Sequence, residues 1–404
     1  MLKPLSDIKV LDFTHAAAGP FATMFLGDMG AEIIKIEKPK GGDSTRSMGR
    51  PMPMLGRKET DYFVALNRNK KGIVLDLGTE QGVQIARDLA AQADVVVQNF
   101  RPDVMNRMGL GFEQLRTLRQ GLIYCSISAF GTSGPWSARP ANDIIMQSVS
   151  GLMGITGEVG GGPVRIGAPI SDFSTGLFAL SGMLAALHAR ASHPEGQHVQ
   201  ITMLDASLNM MCSFIPAVAM LNRKMERLGR GHDQIVPYQA FLCSDDEYVM
   251  VGAFTRGFWQ NLCKMLGRTE WIDDPRYATN AARLSNRVDL VGQLEIIFAK
   301  KPMAEWLRLL AEADVPCSPL YELHDAIKSE QAEHIGCINS VGDPAVKVVR
   351  SPIRADQWDN DSHRPAPRMG ADTWTVMNEW LGLDKGRFDE LSNQGIFGTA
   401  KEGA

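Results

Sequence analysis

Lys9-Val10-Leu11-Asp12-Phe13-Thr14 is short, apolar and β-prone, and it opens the series of strand signals that decides the fold class. Glu32-Ile33-Ile34-Lys35-Ile36-Glu37 alternates as a second strand. Gly72-Ile73-Val74-Leu75-Asp76-Leu77 makes a third, and the apolar spacing after it predicts a helix over residues 79–93. Asp94-Val95-Val96-Val97 and Leu122-Ile123-Tyr124-Cys125-Ser126-Ile127 continue the series. Strands separated by helices predict an α/β fold with a mostly parallel, doubly wound sheet. Such a sheet takes its ligands beyond the carboxyl ends of its strands.

Around residues 223–231 the pattern changes to a charged, glycine-punctuated stretch that reads as a linker. Residues 241–254 predict a hairpin turning at Ser244-Asp245-Asp246, and helical spacing surrounds residues 259–266, 290–299 and 303–313. These make a smaller α+β domain. From about residue 330 the tail reads as an extended stretch and a final helix over residues 374–381.

With 404 residues the chain has room for two cores. Hydrophobic residues at 44% and charged ones at 22% are those of an ordinary globular protein. Forty-two basic and 46 acidic side chains give a net charge of −4, which offers no footprint for nucleic acid. No apolar run approaches the roughly 20 residues of a membrane helix, so no membrane partner is expected. Residues 1–7 lead directly into the first strand, which argues against a signal peptide. Six cysteines without a C-x-x-C pair read as small buried hydrophobes in a reducing compartment, with the cytoplasm as the expected location. The eight histidines form no ligand set, so no metal is expected. There is no G-x-x-x-x-G-K-[ST] loop and no G-x-S-x-G elbow, and Gly109-Leu110-Gly111-Phe112-Glu113-Gln114 lacks the third glycine of a dinucleotide loop. A catalyst so equipped must rely on carboxylates, amides and groups of its substrate.

The candidate carboxylate lies in Gly167-Ala168-Pro169-Ile170-Ser171-Asp172-Phe173-Ser174-Thr175-Gly176. A short extended segment turns here into a helix whose Leu177, Leu180, Leu184 and Leu187 predict a core-facing stripe. Asp172 falls at the helix start, where backbone N–H groups favour negative charge and could hold an oxyanion beside a nucleophile. The same position suits a mere helix cap.

A run of motifs resembles the family III CoA-transferases. It starts with Val10-Leu11-Asp12-Phe13-Thr14-His15-Ala16-Ala17-Ala18-Gly19-Pro20-Phe21-Ala22 and Leu26-Gly27-Asp28-Met29-Gly30-Ala31-Glu32. Asn67-Arg68-Asn69-Lys70-Lys71, Gln98-Asn99-Phe100-Arg101-Pro102 and Phe130-Gly131-Thr132-Ser133-Gly134-Pro135 follow in order. Gly196-Gln197-His198-Val199, Met203-Leu204-Asp205-Ala206 and Asp274-Pro275-Arg276-Tyr277 extend the likeness over nearly the whole chain. The resemblance implies a large Rossmann-like CoA-binding domain from residues 1–222 and 326–404, a small α+β domain with its linkers over 223–325, and an interlocked homodimer. Acyl-CoA is then a substrate together with a small carboxylic acid, and no cofactor is permanently bound.

By motif position the resemblance makes Asp172 the nucleophile, which forms an aspartyl anhydride and then an aspartyl-CoA thioester. An ordinary aspartate is already ionised at neutral pH and needs no base. The resemblance also assigns CoA contacts to Ala18, Lys38, Leu75, Asn99, Phe100, Arg101 and Arg107. Without it, Lys38 is a solvated strand-end lysine, Leu75 a core leucine and Arg107 a surface arginine. The family includes an α-methylacyl-CoA racemase, which needs a histidine base where this chain has Asn142 ahead of Asp143. Asp143 is left to position substrate or to cap the helix beginning there. Formyl-CoA transferase has a glutamine at the place of Ala17, which points away from formyl and oxalate. Residues 233–241, together with Val164-Arg165, resemble transferases that use succinyl-CoA and dicarboxylates such as glutarate or hydroxymethylglutarate. Arg165, Arg230 or His232 then meets the distal carboxylate, or Arg165 ties down its own loop.

Overall fold

The computed structural model describes residues 2–52, 59–359 and 363–398. The chain divides into two compact units. The larger comprises Met1–Leu152, Arg165–Asn222 and Gly336–Ala404, and the smaller Met153–Val164 and Arg223–Ile335. The smaller unit therefore takes in Met153–Val164, with the glycine run 157–162, and extends ten residues past the limit of 325 read from the sequence.

Six strands build the sheet of the larger unit: β1 (Lys9–Asp12), β2 (Glu32–Glu37), β3 (Lys70–Val74), β4 (Val95–Gln98), β5 (Ile123–Ser128) and β6 (Gln197–Thr202). They lie in the order β3-β2-β1-β4-β5-β6 with every pairing parallel. This is the doubly wound order, and its direction reverses between β1 and β4. The helices up to and around β6 are α1 (Ala18–Asp28), α2 (Asp61–Leu66), α3 (Glu80–Gln92), α4 (Val104–Arg107), α5 (Phe112–Leu115), α6 (Asp143–Val149), α7 (Leu152–Ile155), α8 (Ile170–Ala189), α9 (Met203–Asn209) and α10 (Ile215–Leu221).

Both faces of the sheet are covered. Leu11, Ile34, Ile73 and Val96 pack against Ile85 and Leu89 of α3 and against Val376 and Met377 of the helix Thr373–Leu381. Val10, Ile33, Val95 and Val97 pack against Ala22 and Leu26 of α1 and Ala179, Leu180 and Met183 of α8. Each such aliphatic side chain contributes about 1.5–3 kcal/mol relative to exposure. The two-sided cover explains why β2, read as alternating, buries Ile33 through Glu37 without a break.

Several expectations change. β6 escapes a strand reading because Gln197-His198-Val199-Gln200-Ile201-Thr202 is largely polar, as suits a partly exposed edge. Asp172 is preceded by irregular backbone rather than a strand. On α8 the buried face runs through Ala179, Leu180, Met183 and Ala186, while Leu177 is 48% exposed. At 20 residues, α8 is also long and apolar enough to cross a membrane, contrary to the reading that no run approaches that length. Its contacts with α1 and the sheet make it a core helix, and its apolar composition follows from that burial. Cys125, Cys243 and Cys263 are buried as expected, but Cys212 is exposed.

The smaller unit carries an antiparallel sheet of β7 (Tyr238–Leu242), β8 (Tyr248–Gly252) and β9 (Cys317–Pro319). The hairpin turns where the sequence predicts, with Asp246 in the left-handed region at φ 62°. Trp259, Leu262, Leu290, Phe298 and Trp306 fill its core. In the larger unit the tail adds the pair Ile338–Val341 and Asp343–Val349, and a helix Lys385–Asn393 follows the one read as final.

Candidate active site

The reversal of strand order between the parallel strands β1 and β4 opens a crevice beyond their carboxyl ends. A cavity of about 500 Å³ lies there, lined by His15, Lys35, Lys38, Asp43, Leu75, Phe100 and Met108 among others. Of the residues assigned to CoA, Lys38, Leu75 and Phe100 line it directly. Asn99 acts behind it: its Oδ1 accepts from the His15 N–H at 3.0 Å and its Nδ2 donates to the His15 carbonyl at 2.7 Å. That amide joins the loops following β1 and β4. The His15 ring stands edge-on to Phe100, with centroids 4.9 Å apart, and burial holds its pKa below the ordinary value. Arg101 and Arg107 are exposed, Arg107 in the last turn of α4, whose Val104 reaches the cavity wall. Ala18 is buried at the start of α1.

A frame of buried charge holds the loop after β1. Asp12 accepts from the Thr14 N–H at 2.8 Å, the Thr23 hydroxyl at 2.6 Å and the Lys70 ammonium at 3.1 Å. Burial opposes the Asp12 charge, but Lys70 and Lys35 outweigh it and keep its pKa low. Lys35 donates to the Thr14 carbonyl at 2.7 Å and pairs with Asp43 at 2.8 Å. Burial likewise opposes the Asp43 charge, and Lys35 outweighs it, holding the carboxyl down at about 2. Asp43 in turn accepts from the Ala16 N–H at 3.3 Å, where Ala16 adopts φ 64°. A non-glycine residue in that region needs such surroundings to persist. The sequence reading passed over this frame. Its available signal was a lysine inside the apolar strand β2, Lys35, and another opening β3, Lys70, both fully buried.

Asp172 lies in the first turn of α8 and does not cap it: the N-cap position is Pro169, without a side-chain bond. The cap comes from α6. Asp143 Oδ1 accepts from the N–H of Ser171 at 2.8 Å and of Asp172 at 3.3 Å. Two readings of the sequence are corrected here. Asp143 does not cap its own helix, since the Asn142 side chain accepts from the Ile145 N–H. The N–H groups expected to hold an oxyanion are already occupied by Asp143, and that of Phe173 by the Pro169 carbonyl. Gln147 supports Asp143 by donating to its Oδ2 at 2.7 Å while accepting from the Ile166 N–H at 2.8 Å.

The Asp172 carboxyl is partly buried. Desolvation, with the neighbouring Asp143 charge second, pushes its pKa up to about 7. The expectation of an aspartate ionised at neutral pH rests on the ordinary value, and burial here shifts the balance toward the protonated form. Tyr62 of α2, missed in the sequence because nothing local marks it, stands near both carboxylates. Burial, then the charges of Asp172 and Asp143, push its hydroxyl up to about 12. Gly176 lets α8 approach α1, since a Cβ there would meet the Ala18 carbonyl oxygen at 2.7 Å.

Arg165 uses Nη1 on the carbonyls of Ile166 at 3.2 Å and Gly167 at 2.8 Å, as in the loop-tying reading. His232, in the smaller unit, stacks on Tyr238 and accepts from the Gln234 N–H at Nδ1. Arg230 lies over the Tyr248 ring at 4.9 Å. Among the described residues, no group of three or more His, Cys, Asp or Glu side chains could hold a metal ion.

Comparison with known proteins agrees with this architecture. Residues 5–373 match the family described as CoA-transferase family III. The chain is 37% identical over 398 residues to succinyl-CoA:glutarate CoA-transferase of Mus musculus, covering 98% of this chain and 90% of that one. It is 34% identical to succinate–glutarate CoA-transferase of Agrobacterium fabrum, covering 95% and 97% respectively. A crystal structure of a CaiB/BaiF family protein from Brucella suis superposes with a TM-score of 0.84 at 32% identity, covering 94% of this chain and all of that one. The chain is an enzyme that belongs to CoA-transferase family III.

Proposed function

We propose that the protein moves CoA from succinyl-CoA to a dicarboxylic acid of glutarate type, with Asp172 as the nucleophile. The observation that carries this reading is the Asp172 carboxyl itself, set in the first turn of a core helix with no cation among the described residues acting on its charge. A structural carboxylate so placed would be paired. An unpaired one keeps its lone pairs for attack.

In the proposed sequence the Asp172 carboxylate attacks the thioester carbonyl, an O–C bond forms, the C–S bond breaks and CoA thiolate departs. The thiolate then attacks the aspartyl carbonyl of the anhydride, giving aspartyl-CoA thioester and the donor acid. The acceptor carboxylate attacks that thioester, and the expelled thiolate takes the acceptor acyl group, regenerating Asp172. One thioester replaces another, so no ATP is consumed. Lys38, Leu75 and Phe100 would receive the nucleotide in the crevice, with Asn99 steadying the His15 loop. Arg101 and Arg107 would reach phosphate oxygens, and buried Ala18 permits close backbone approach. With the first N–H groups of α8 occupied, the oxyanion falls to the Tyr62 hydroxyl and to the N–H groups opening α1. The N–H groups of Arg165 beyond Nη1 suit a distal carboxylate. The names of the mouse and Agrobacterium relatives support the succinyl and glutarate pair.

Racemase chemistry is disfavoured because Asn142, in place of the histidine base, holds its own helix end. A homodimer is proposed on the exposed apolar side chains of α10, which buries none of its residues and leaves Met220 80% and Leu221 76% exposed. The six free cysteines are consistent with a cytoplasmic location.

Incubation with succinyl-CoA and hydroxylamine, followed by mass spectrometry, tests the mechanism. A hydroxamate at Asp172 in the wild type, absent from Asp172→Asn, is the expected result. Continued transfer to glutarate without any adduct would replace the covalent route with a ternary one.

A further inference from the structure

Asp143 holds the start of α8 in an unusual way for a cap. It comes from another helix, 29 residues upstream of Asp172, and brings a full negative charge to the same helix end as a second carboxylate. Neutral asparagine or serine caps as well without that repulsion. The arrangement is nonetheless braced: Gln147 donates to the free oxygen of Asp143 and ties the pair to the Ile166 backbone. Ser171 is anchored in turn, its hydroxyl accepting from Ser207 at 2.9 Å.

We propose that Asp143 is a positioning residue for the transfer reaction, fixing the first turn of α8 through two backbone N–H groups and holding a like charge against the Asp172 nucleophile. The inference rests on Asp172 being that nucleophile. A carboxylate made more basic is a stronger nucleophile once ionised, and the cost is a larger protonated fraction near neutral pH.

Other groups around α8 do not supply this effect. Tyr62 faces Asp172 from α2, and the opening turns of α1 carry no titratable side chain. Asp205 of α9 is bonded to Thr202, Arg165 to its own loop, and His198 of β6 to Ser126. Tyr124 and Cys125 of β5 are buried and neutral, their pKa values raised by burial. Among the described residues, Asp143 is the one charged neighbour acting on Asp172.

The test is the pH dependence of hydroxamate formation at Asp172 in wild type and Asp143→Asn, using succinyl-CoA as donor. Asparagine keeps an acceptor for the two N–H groups and removes the charge. The wild-type acid limb is expected near pH 7. In the variant it should fall by about one pH unit, raising the rate at pH 6, relative to the plateau, about fivefold. An adduct whose limb does not move overturns this inference and leaves the nucleophile standing. Transfer without any adduct at Asp172 overturns both.

The asparagine NH₂ would meet the Gln147 amide, so the unmodified protein supplies an independent measurement. Carbodiimide labels protonated carboxyls, and mapped labelling of Asp172 should persist to about pH 7, well beyond that of exposed aspartates. Labelling that ends together with theirs overturns the inference.

Discussion

Replacing Asp172 with asparagine should abolish transfer and make the folded protein more stable, increasingly so as the pH rises. The Asp172 carboxyl titrates at about 7 instead of the ordinary 3.8, because folding strips it of water and sets it beside Asp143. Between those values the folded chain binds more protons than the unfolded one, so stability falls as the pH rises. Below about pH 4 both states are protonated and the penalty vanishes; above about pH 7 it is complete. At roughly 1.4 kcal/mol per pH unit the full penalty is on the order of 4 kcal/mol. Partial exposure of the carboxyl trims this to about 2–3 kcal/mol. The neutral, near-isosteric amide escapes it. For a unit of roughly 280 residues this amounts to about 3–5 °C in melting temperature. The assay is thermal unfolding of both proteins at about pH 5 and about pH 8. A variant no more stable than wild type at the higher pH would refute the reasoning. A gain equal at both pH values would refute it too, because the cause would then be packing. The expected result is a site that gives up stability for reactivity.

Three other perturbations follow from named contacts. Lys70→Met strands Asp12 in the core and should cost about 3–5 kcal/mol, read by urea unfolding. Gly176→Ala drives a Cβ into the Ala18 carbonyl and the Phe21 ring, and should cost about 1–3 kcal/mol with a matching fall in melting temperature. Phe100→Ala opens the wall of the crevice and removes the ring against His15; KM for succinyl-CoA should rise about tenfold with little change in kcat, as steady-state kinetics would report.

Local periodicity carried a large part of the fold. The apolar β-runs at Val10, Ile33, Ile73, Val95 and Ile123 all became strands of one sheet, and the helix read over 79–93 appears as Glu80–Gln92 with Thr79 as its cap. The hairpin of the smaller unit turned at its aspartates. These features depend on neighbours a few residues away, so the sequence by itself determined them. The same was true of Asp172 as a candidate, since a helix start is a local feature.

The tertiary structure alone decided what surrounds them. Whether Lys35 and Lys70 meet water or a buried carboxylate depends on helices covering both faces of the sheet. A strand pattern cannot say which faces are covered. Asp143 reads as a cap for the helix it begins and proves to cap another, because Asn142 already holds that helix start and the packing of α6 beside α8 brings the N–H groups of Ser171 and Asp172 within its reach. The same contacts occupy the N–H groups expected as oxyanion donors, and burial beside Asp143 pushes the Asp172 carboxyl up to about 7. Each of these outcomes depends on distances between groups far apart in the chain. Such distances are set by long-range packing, which leaves no periodic trace in the residues that it brings together.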